Sequence, residues 1–246
     1  MADTYLRFGT LDMSAEIEDW EEQGDSRIQA QLVSRRHGIF LSDVPVLDGR
    51  YVRVKGAIVA TTAELCRTRL DTISEVLHSG VQKLQFLDDR FLIAQKARFG
   101  YGYAPGSAGR KINFALEFVC ADPFLYRDAT SSSSNPISAS PTSFSVTNGG
   151  TAFVYPKVTF TAGGSSITSI SLLNNTTGKT FAYSGTVLAT KALVVDTSDF
   201  TVLNDGVSDL TNFTGVFPHF NSGSNSYTFT GSNCTILFEW RNRWWT

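Results

Sequence analysis

The side chains that most often bind metals or attack substrates are few in this sequence and stand far apart. The chain has three histidines and three cysteines, namely His37, His78, His219, Cys66, Cys120 and Cys234. None has a partner at metal-ligand spacing, and neither a C-x-x-C nor an H-E-x-x-H motif occurs. The sequence therefore predicts no metal site, no disulfide framework and no cofactor.

Carboxylate pairs and one glycine-rich stretch are the other candidates for catalysis. Asp88-Asp89 and Glu21-Glu22 are adjacent in sequence, which is typical of a turn or a polar surface and not of glycosidase geometry. Gly100-Tyr101-Gly102 continues a strand pattern and opens no helix, so we interpret it as a bend in a hairpin, not as a phosphate loop. No G-x-S-x-G motif occurs either. The sequence predicts a protein that is not an enzyme.

Charge near the N-terminus is segregated into two short segments. Residues 15–25 are acidic, and residues 34–37 are basic. The simplest interpretation is solvated surface. The alternative is a head-to-tail contact between subunits, which closes into a ring when the rotation permits. The candidate inter-subunit residues are Glu18, Glu21, Glu22, Arg35 and Arg36.

The C-terminal sequence FEWRNRWW is rich in tryptophan and arginine. Strand alternation places Trp240 and Trp244 on one face, and Trp245 on the other with two arginines. We interpret these residues as an aromatic patch that caps the core edge or contacts another chain. A platform for stacking sugars, with Trp244, Trp245 or Tyr183, is the competing interpretation.

The amino-acid composition is that of a chain that can fold, and its net charge produces no strong electrostatic field. It has 246 residues, a hydrophobic fraction of 42% and a net charge of −2, so nothing in its balance would hold nucleic acid. The first residues lack a basic region followed by an apolar one, and no run of about 18 apolar residues occurs. We expect a soluble protein made in the cytoplasm, without a signal peptide or membrane insertion.

Charged residues divide the chain into two parts. Residues 1–127 hold 16 Lys and Arg and 17 Asp and Glu, whereas residues 128–246 hold 5 and 6. A serine-rich stretch separates the two parts. We predict an α+β domain over 1–127, a Ser/Pro-rich linker over 128–141 and an all-β sandwich over 142–246.

The first domain is predicted to be an antiparallel sheet with one helix. Thr61 and Glu64 have capping-box spacing, and Gly80 follows the helix where a glycine often ends one. The predicted buried stripe of this helix is Leu65, Leu70, Ile73, Val76 and Leu77. Strand patterns cover residues 27–34, 50–60, 81–87, 90–103 and 111–121.

The end of the first domain carries two aromatic residues beyond a proline. Pro123 terminates the long strand because it has no N–H to donate. Phe124 and Tyr126 follow it, and we expect them to pack against the neighbouring domain.

The order of these motifs resembles the distal tail protein family of phages with long, non-contractile tails. In the first half the resemblance rests on GRYVRVKGAI (49–58), the helix that begins TTAEL, the LQFLDDR hairpin and an F-x-C-x-D-P-F-x-Y ending at 118–126. In the second half it rests on NNTTG, LVVD, VLNDG and GSNSYTFTG, in that order.

The resemblance implies a structural virion protein. Members form a hexameric ring at the tail tip from an N-terminal domain similar in fold to the tail tube protein, and they carry a galectin-like C-terminal sandwich. The ring joins the tail tube to the baseplate hub or tail-associated protein, around a channel for the tape measure protein and DNA. A carbohydrate-binding host-recognition module, acting through the sandwich, is the alternative.

Overall fold

The computed structural model describes residues 6–23, 49–86 and 89–245, and between residues 24 and 48 it describes only the backbone of four short strands. Arg35, Arg36, His37 and Asp88 lie outside the described residues. The chain divides into two compact units, Met1–Leu125 and Tyr126–Thr246.

The first unit is built on an antiparallel sheet with one helix among its described residues. Its strands are β1 (Arg7–Phe8), β2 (Leu11–Asp12), β3 (Ile17–Gln23), β4 (Ser26–Arg27), β5 (Ala30–Leu32), β6 (Ile39–Leu41), β7 (Val46–Leu47), β8 (Arg50–Val59), β9 (Gln82–Gln85), β10 (Arg90–Tyr103) and β11 (Lys111–Cys120). The order across the sheet is β2-β1-β9-β10-β11-β8-β3, while β4 pairs with β7 and β5 with β6.

Alternation along the central strands buries one face of this sheet. Val54 on β8 stands opposite Leu116 on β11, and both are almost fully buried. The next position along each strand points the other way, where Arg53 stands opposite Glu117 and is exposed. The central strands therefore separate an apolar face from a charged face.

Helix α1 (Ala63–Leu77) packs on β8 and β11, and its start differs from the sequence prediction by one residue. Thr62 is the N-cap, since its hydroxyl oxygen accepts a hydrogen bond from the N–H of Leu65 at 3.2 Å. The predicted capping box at Thr61 and Glu64 is therefore wrong by one position.

The buried stripe of α1 consists of Cys66, Leu70, Ile73 and Leu77. Leu65, which was predicted to lie in this stripe, is 55% exposed, and Val76 is half-buried. Spacings of four, three and four residues keep one side of a helix in line, and Cys66 fits that series where Leu65 does not.

The second unit consists of short strands and one 3₁₀ turn (Leu210–Asn212) among its described residues. Its strands are β12 (Leu125–Arg127), which begins at the last residue of the first unit, β13 (Ser131–Ile137), β14 (Thr142–Asn148), β15 (Lys157–Ala162), β16 (Ile170–Asn174), β17 (Lys179–Tyr183), β18 (Ala192–Asp196), β19 (Thr201–Asn204), β20 (Val207–Ser208), β21 (Phe213–Gly215), β22 (Gly223–Gly231), β23 (Cys234–Trp240) and β24 (Arg243–Trp244). One sheet has the order β13-β23-β15-β18-β19-β20, the other has the order β14-β22-β16-β17-β21, and β12 pairs with β24.

The two sheets of the second unit share one hydrophobic core. The ring of Phe160 on β15 lies 5.9 Å from the ring of Phe181 on β17 and 6.2 Å from that of Phe229 on β22. Each contact joins the six-stranded sheet to the five-stranded sheet. The unit is therefore a β-sandwich.

Residues 131–137 form a strand where the sequence predicts part of a linker. β13 pairs with β23 along its whole length, from Ser131 opposite Trp240 to Ile137 opposite Cys234. Its serines alternate between half-buried and exposed positions, so no apolar period marks the strand. Its place at the edge of the sheet also tolerates Pro136, which cannot donate a backbone hydrogen bond.

The described residues contain neither a membrane-spanning helix nor a cluster of metal ligands. No helix in the described part is long and apolar enough to cross a membrane. Within the same residues, no group of three or more His, Cys, Asp or Glu side chains is placed to hold a metal ion.

Candidate assembly surfaces

Four strands of the first unit lie side by side in the order β10-β11-β8-β3. β9 pairs with β10 only at residues 91–94, so residues 98–103 of β10 extend beyond it. Among the described residues of the first unit, β10 is one outer strand of these four and β3 is the other. An edge strand presents backbone N–H and C=O groups that can pair with another chain.

The β10 edge is basic and aromatic. Tyr101 and Tyr103 are 56% and 50% exposed, and the ring of Phe99 lies 5.8 Å from that of Tyr101. Residues 96–116 contain no acidic residue, and their basic residues are Lys96, Arg98, Arg110 and Lys111. This edge therefore suits an acidic partner with apolar surface.

The β3 edge is acidic. The side chains of Glu18 and Glu21 are 62% and 58% exposed. Glu18 lies where the register with β8 shifts between Ile17 and Asp19, which marks a bulge. Residues 15–25 contain six acidic residues and no Lys or Arg.

One row of side chains crosses all four strands with alternating charge. Arg98 on β10 stands opposite Glu117 on β11, which stands opposite Arg53 on β8, which stands opposite Glu21 on β3. The Arg53 guanidinium donates to Glu117 at 2.9 Å and to Glu21 at 3.3 Å. The row begins with a cation at one edge of the sheet and ends with an anion at the other. A second copy placed beside the first would continue the alternation.

Comparison with known proteins identifies the second unit. Residues 149–244 match the family model described as "Siphovirus-type tail component, C-terminal domain". The fold agrees over nearly the whole chain with the crystal structure of SPP1 Dit, described as a paradigm of the hub adsorption apparatus in phages that infect Gram-positive bacteria. That match has a TM-score of 0.74 and 15% identity, and it covers 96% of this chain and 98% of that one. Residues 149–244 therefore carry a siphovirus-type tail component C-terminal domain, and the fold of the whole chain is similar to that of SPP1 Dit.

Two further structural matches come from gene transfer agent particles. A chain of the native virion has 11% identity and a TM-score of 0.34, and it covers 49% of this chain and 92% of that one. A chain from the tail of the empty particle has 13% identity and a TM-score of 0.33, with 52% and 96% covered. No curated protein sequence matches this chain.

The predicted inter-subunit residues fall in two groups. Arg35 and Arg36 lie outside the described residues, so their contact stays a prediction. The three glutamates face cations of their own chain: Glu22 bonds to buried Arg50, Glu21 to Arg53, and Glu18 lies 3.9 Å from Lys111. Cations of the same chain therefore already neutralise part of the acidic segment.

The tryptophans of the C-terminal patch do not share one surface. Trp240 is 7% exposed, its indole N–H donates to Asn242 at 2.7 Å, and its ring packs 5.1 Å from that of Phe220. β23 ends at Trp240, so the strand alternation predicted through residue 245 breaks there. Trp240 belongs to the core, whereas Trp244 and Trp245 are half-buried.

Arginine and aromatic rings do stack in this region, within the same chain. The Arg243 guanidinium lies 4.4 Å from the centre of the Phe153 ring and 5.6 Å from that of Tyr155. The backbone and indole N–H groups of Trp245 both donate to Thr151. These contacts support the interpretation that the residues cap the edge of the core.

Tyr183 is not placed as a sugar-stacking platform, because it is only 2% exposed. Its hydroxyl donates to the Asp209 carboxylate at 2.5 Å. Burial, and then the bond to Asp209, raises the pKa of Tyr183 to about 12, and the same bond lowers the pKa of Asp209. This pair holds the loop before the 3₁₀ turn against the core.

Phe124 and Tyr126 stand on either side of the boundary between the two units, and both are half-buried. The N–H of Phe124 donates to the Asp122 carboxylate at 3.0 Å, a turn that follows the end of β11. Their packing against the neighbouring domain stays a prediction.

Sequence reasoning missed an exposed apolar surface on the sandwich. Phe200 is 58% exposed, and its ring lies 5.4 Å from that of half-buried Phe217. Leu210 and Val216, which are 47% and 42% exposed, precede and follow β21 in sequence. These four residues are called the Phe200 patch below. Residues 196–216 contain four aspartates and no Lys or Arg. This local excess of negative charge is the feature of the sequence that could have drawn attention to the surface.

Proposed function

We propose that this chain is a distal tail protein that forms a hexameric ring at the distal end of a phage tail. The ring joins the tail tube to the baseplate hub or tail-associated protein, and the tape measure protein and then DNA pass through its channel. The observation that carries the proposal is the charge row that crosses the first unit from Arg98 to Glu21. The family supplies the tail context.

The two edges of the four-stranded sheet differ, so one edge of a copy would meet the opposite edge of the next. A contact between two different surfaces is heterologous, and it gives a closed ring when the rotation per subunit divides a full turn. Pairing of β10 with the β3 of a neighbour would bring Arg98 beside Glu21 and would place the exposed Tyr101 and Tyr103 against the adjacent strand. The number of six copies comes from the family resemblance.

The test is the mass of the full chain in solution by native mass spectrometry. We expect a species of six times 26.9 kDa. Addition of the tail tube protein and the hub protein separates template-dependent assembly from failure, because a ring that needs a template appears only with them. A chain that stays monomeric with both partners contradicts the proposal.

Charge reversal identifies the cations that meet the acidic edge. Lys96→Glu with Arg98→Glu should abolish the ring if the β10 edge is the contact, and Arg35→Glu with Arg36→Glu should do so if the earlier basic segment is the contact. The matched control is Lys157→Glu with Lys179→Glu, two exposed lysines of the second unit. Melting temperature is measured in parallel, and a double variant that loses the fold along with the ring does not count as support.

A second candidate function is weak binding of neutral glycans on the outer face of the five-stranded sheet. A cleft of about 280 Å³ there has no charged residue in its lining, which combines apolar surface with the hydroxyl-bearing residues Ser171, Ser184, Thr214 and Thr230. Hydroxyl groups can exchange hydrogen bonds with sugars. Calorimetry with host cell-wall polysaccharide fragments tests this function, with Ser171→Lys as the variant. Equal heats for wild type and variant would exclude this cleft.

A further inference from the structure

The Phe200 patch lies where both sheets of the sandwich end. β20 is the last strand of the six-stranded sheet and β21 is the last strand of the five-stranded one, and Leu210 lies between them in sequence. The N–H of Asp209 donates to the carbonyl of Val202 at 2.9 Å, which holds the 3₁₀ turn beside β19, two residues from Phe200. Exposed apolar residues grouped in this way mark interaction sites more often than scattered ones do.

A hydrogen-bonded turn places Phe200 in this exposed position. Its backbone has φ of +56°, which is costly for a residue with a side chain. The preceding turn is fixed by the Asp196 carboxylate, which accepts hydrogen bonds from the N–H groups of Ser198 and Asp199. The strained turn and the exposed ring both lower the free energy of unfolding. A partner that buries the ring would offset that loss.

An aromatic series connects the patch to the core. From Phe200 it passes through Phe217, Phe213 and Phe181 to Phe160, with ring distances of 5.4, 4.5, 5.3 and 5.9 Å. Phe181 and Phe160 are buried, and Phe213 and Phe217 are half-buried, so each ring of the series rests on the next one inward. Pre-organised aromatic side chains of this kind are typical anchors of protein interfaces.

The surroundings of the patch are acidic. Asp196, Asp199, Asp205 and Asp209 are four of the six acidic residues in residues 128–246, and all of them lie within residues 196–216. Lys191 neutralises one of them, since its ammonium lies 3.0 Å from Asp205. The rim of the patch therefore repels an anionic surface and attracts a cationic one.

We infer that the Phe200 patch is a docking site for a partner protein, through a segment that presents apolar side chains flanked by Lys or Arg. The apolar side chains would cover Phe200, Leu210 and Val216, and the basic residues would face the aspartates of the rim. The inference does not depend on ring formation, because every residue it uses lies in the second unit.

The test uses overlapping peptides that tile the other tail proteins of the same virion, with the full chain as the binding protein. We expect one segment with apolar and basic residues to bind, and Phe200→Ser to weaken that binding about tenfold or more. Asp199→Lys should weaken it less and should reduce its dependence on salt. Leu188→Ser is the matched control, because Leu188 is a 61% exposed leucine of the same unit outside the patch.

Three results would overturn the inference. They are equal binding by wild type and Phe200→Ser, binding only of segments without basic residues, and concentration-dependent self-association that Phe200→Ser removes. The last would assign the patch to a contact between copies of this chain. Native mass spectrometry of Phe200→Ser separates the two proposals, since loss of docking with the ring intact supports the patch alone.

Discussion

Burial decides what single side chains contribute to stability in the first unit. Leu70 is 5% exposed on the inner side of α1, whereas Leu65, five residues earlier, is 55% exposed. The two leucines share a helix and a side-chain type, so they differ mainly in the surface that they remove from water.

Leu70→Ala should lower the free energy of unfolding by about 2 to 5 kcal/mol, because it removes buried methyl groups and leaves a cavity. Leu65→Ala should change it by less than about 0.5 kcal/mol, as exposed substitutions usually do. Urea unfolding followed by circular dichroism measures both. Similar losses for the two variants would show that the stripe is wrongly placed.

Cysteine reactivity is a second property set by burial. Burial raises the pKa of the Cys120 thiol to about 12 and that of Cys234 to about 11. Only the thiolate attacks an aromatic disulfide reagent, so both cysteines should resist modification at pH 8 in the folded protein and react once urea is added. Rapid labelling of either residue in the native protein, located by mass spectrometry, would contradict this expectation.

At the scale of elements, the cap of α1 distinguishes two neighbouring threonines. Thr62→Ala should cost about 0.5 to 2 kcal/mol of stability, because the N–H of Leu65 loses its acceptor. Thr61→Ala is the matched control and should be nearly neutral. If Thr61→Ala lowered the denaturant midpoint more than Thr62→Ala does, the capping box at Thr61 and Glu64 would be correct after all.

Sequence reasoning found the elements whose own residues show an apolar period. β10, β11 and α1 follow from their apolar period, because each buries one face or stripe of its own. β13 could not be found in this way, since its stability comes from the backbone of β23 and its side chains are serines. Sequence reasoning missed the charge row for a related reason. Strand register brings together Arg98, Glu117, Arg53 and Glu21, and register cannot be read from the sequence.

For the whole molecule, buried tyrosine and cysteine groups predict how stability changes with pH. Burial raises the pKa of Tyr183 to about 12, and it also raises the pKa of Tyr227. The unfolded chain releases these protons at lower pH than the folded chain does, together with those of Cys120 and Cys234. Between the unfolded and the folded pKa values the native state binds more protons, so stability falls as pH rises.

The melting temperature should therefore be steady near neutral pH and fall progressively above about pH 8, where unfolded cysteines begin to ionise. Tyr183→Phe should make the fall above pH 10 less steep, because the variant has no hydroxyl to ionise at that position. Calorimetry from pH 7 to pH 11 measures both. A melting temperature that rises over this range would contradict the assignment of these groups as buried.

The pairing of β13 with β23 has a consequence for how the second unit can be exchanged. The N–H of Arg127 donates to the carbonyl of Asn242 at 2.9 Å, so the chain enters and leaves the sandwich at neighbouring points. We expect that a different module whose ends are adjacent can replace residues 128–242, because the residues at the two ends of this segment are held together by that bond. A passenger fused after Trp245 would begin beside Thr151, to which Trp245 donates two hydrogen bonds.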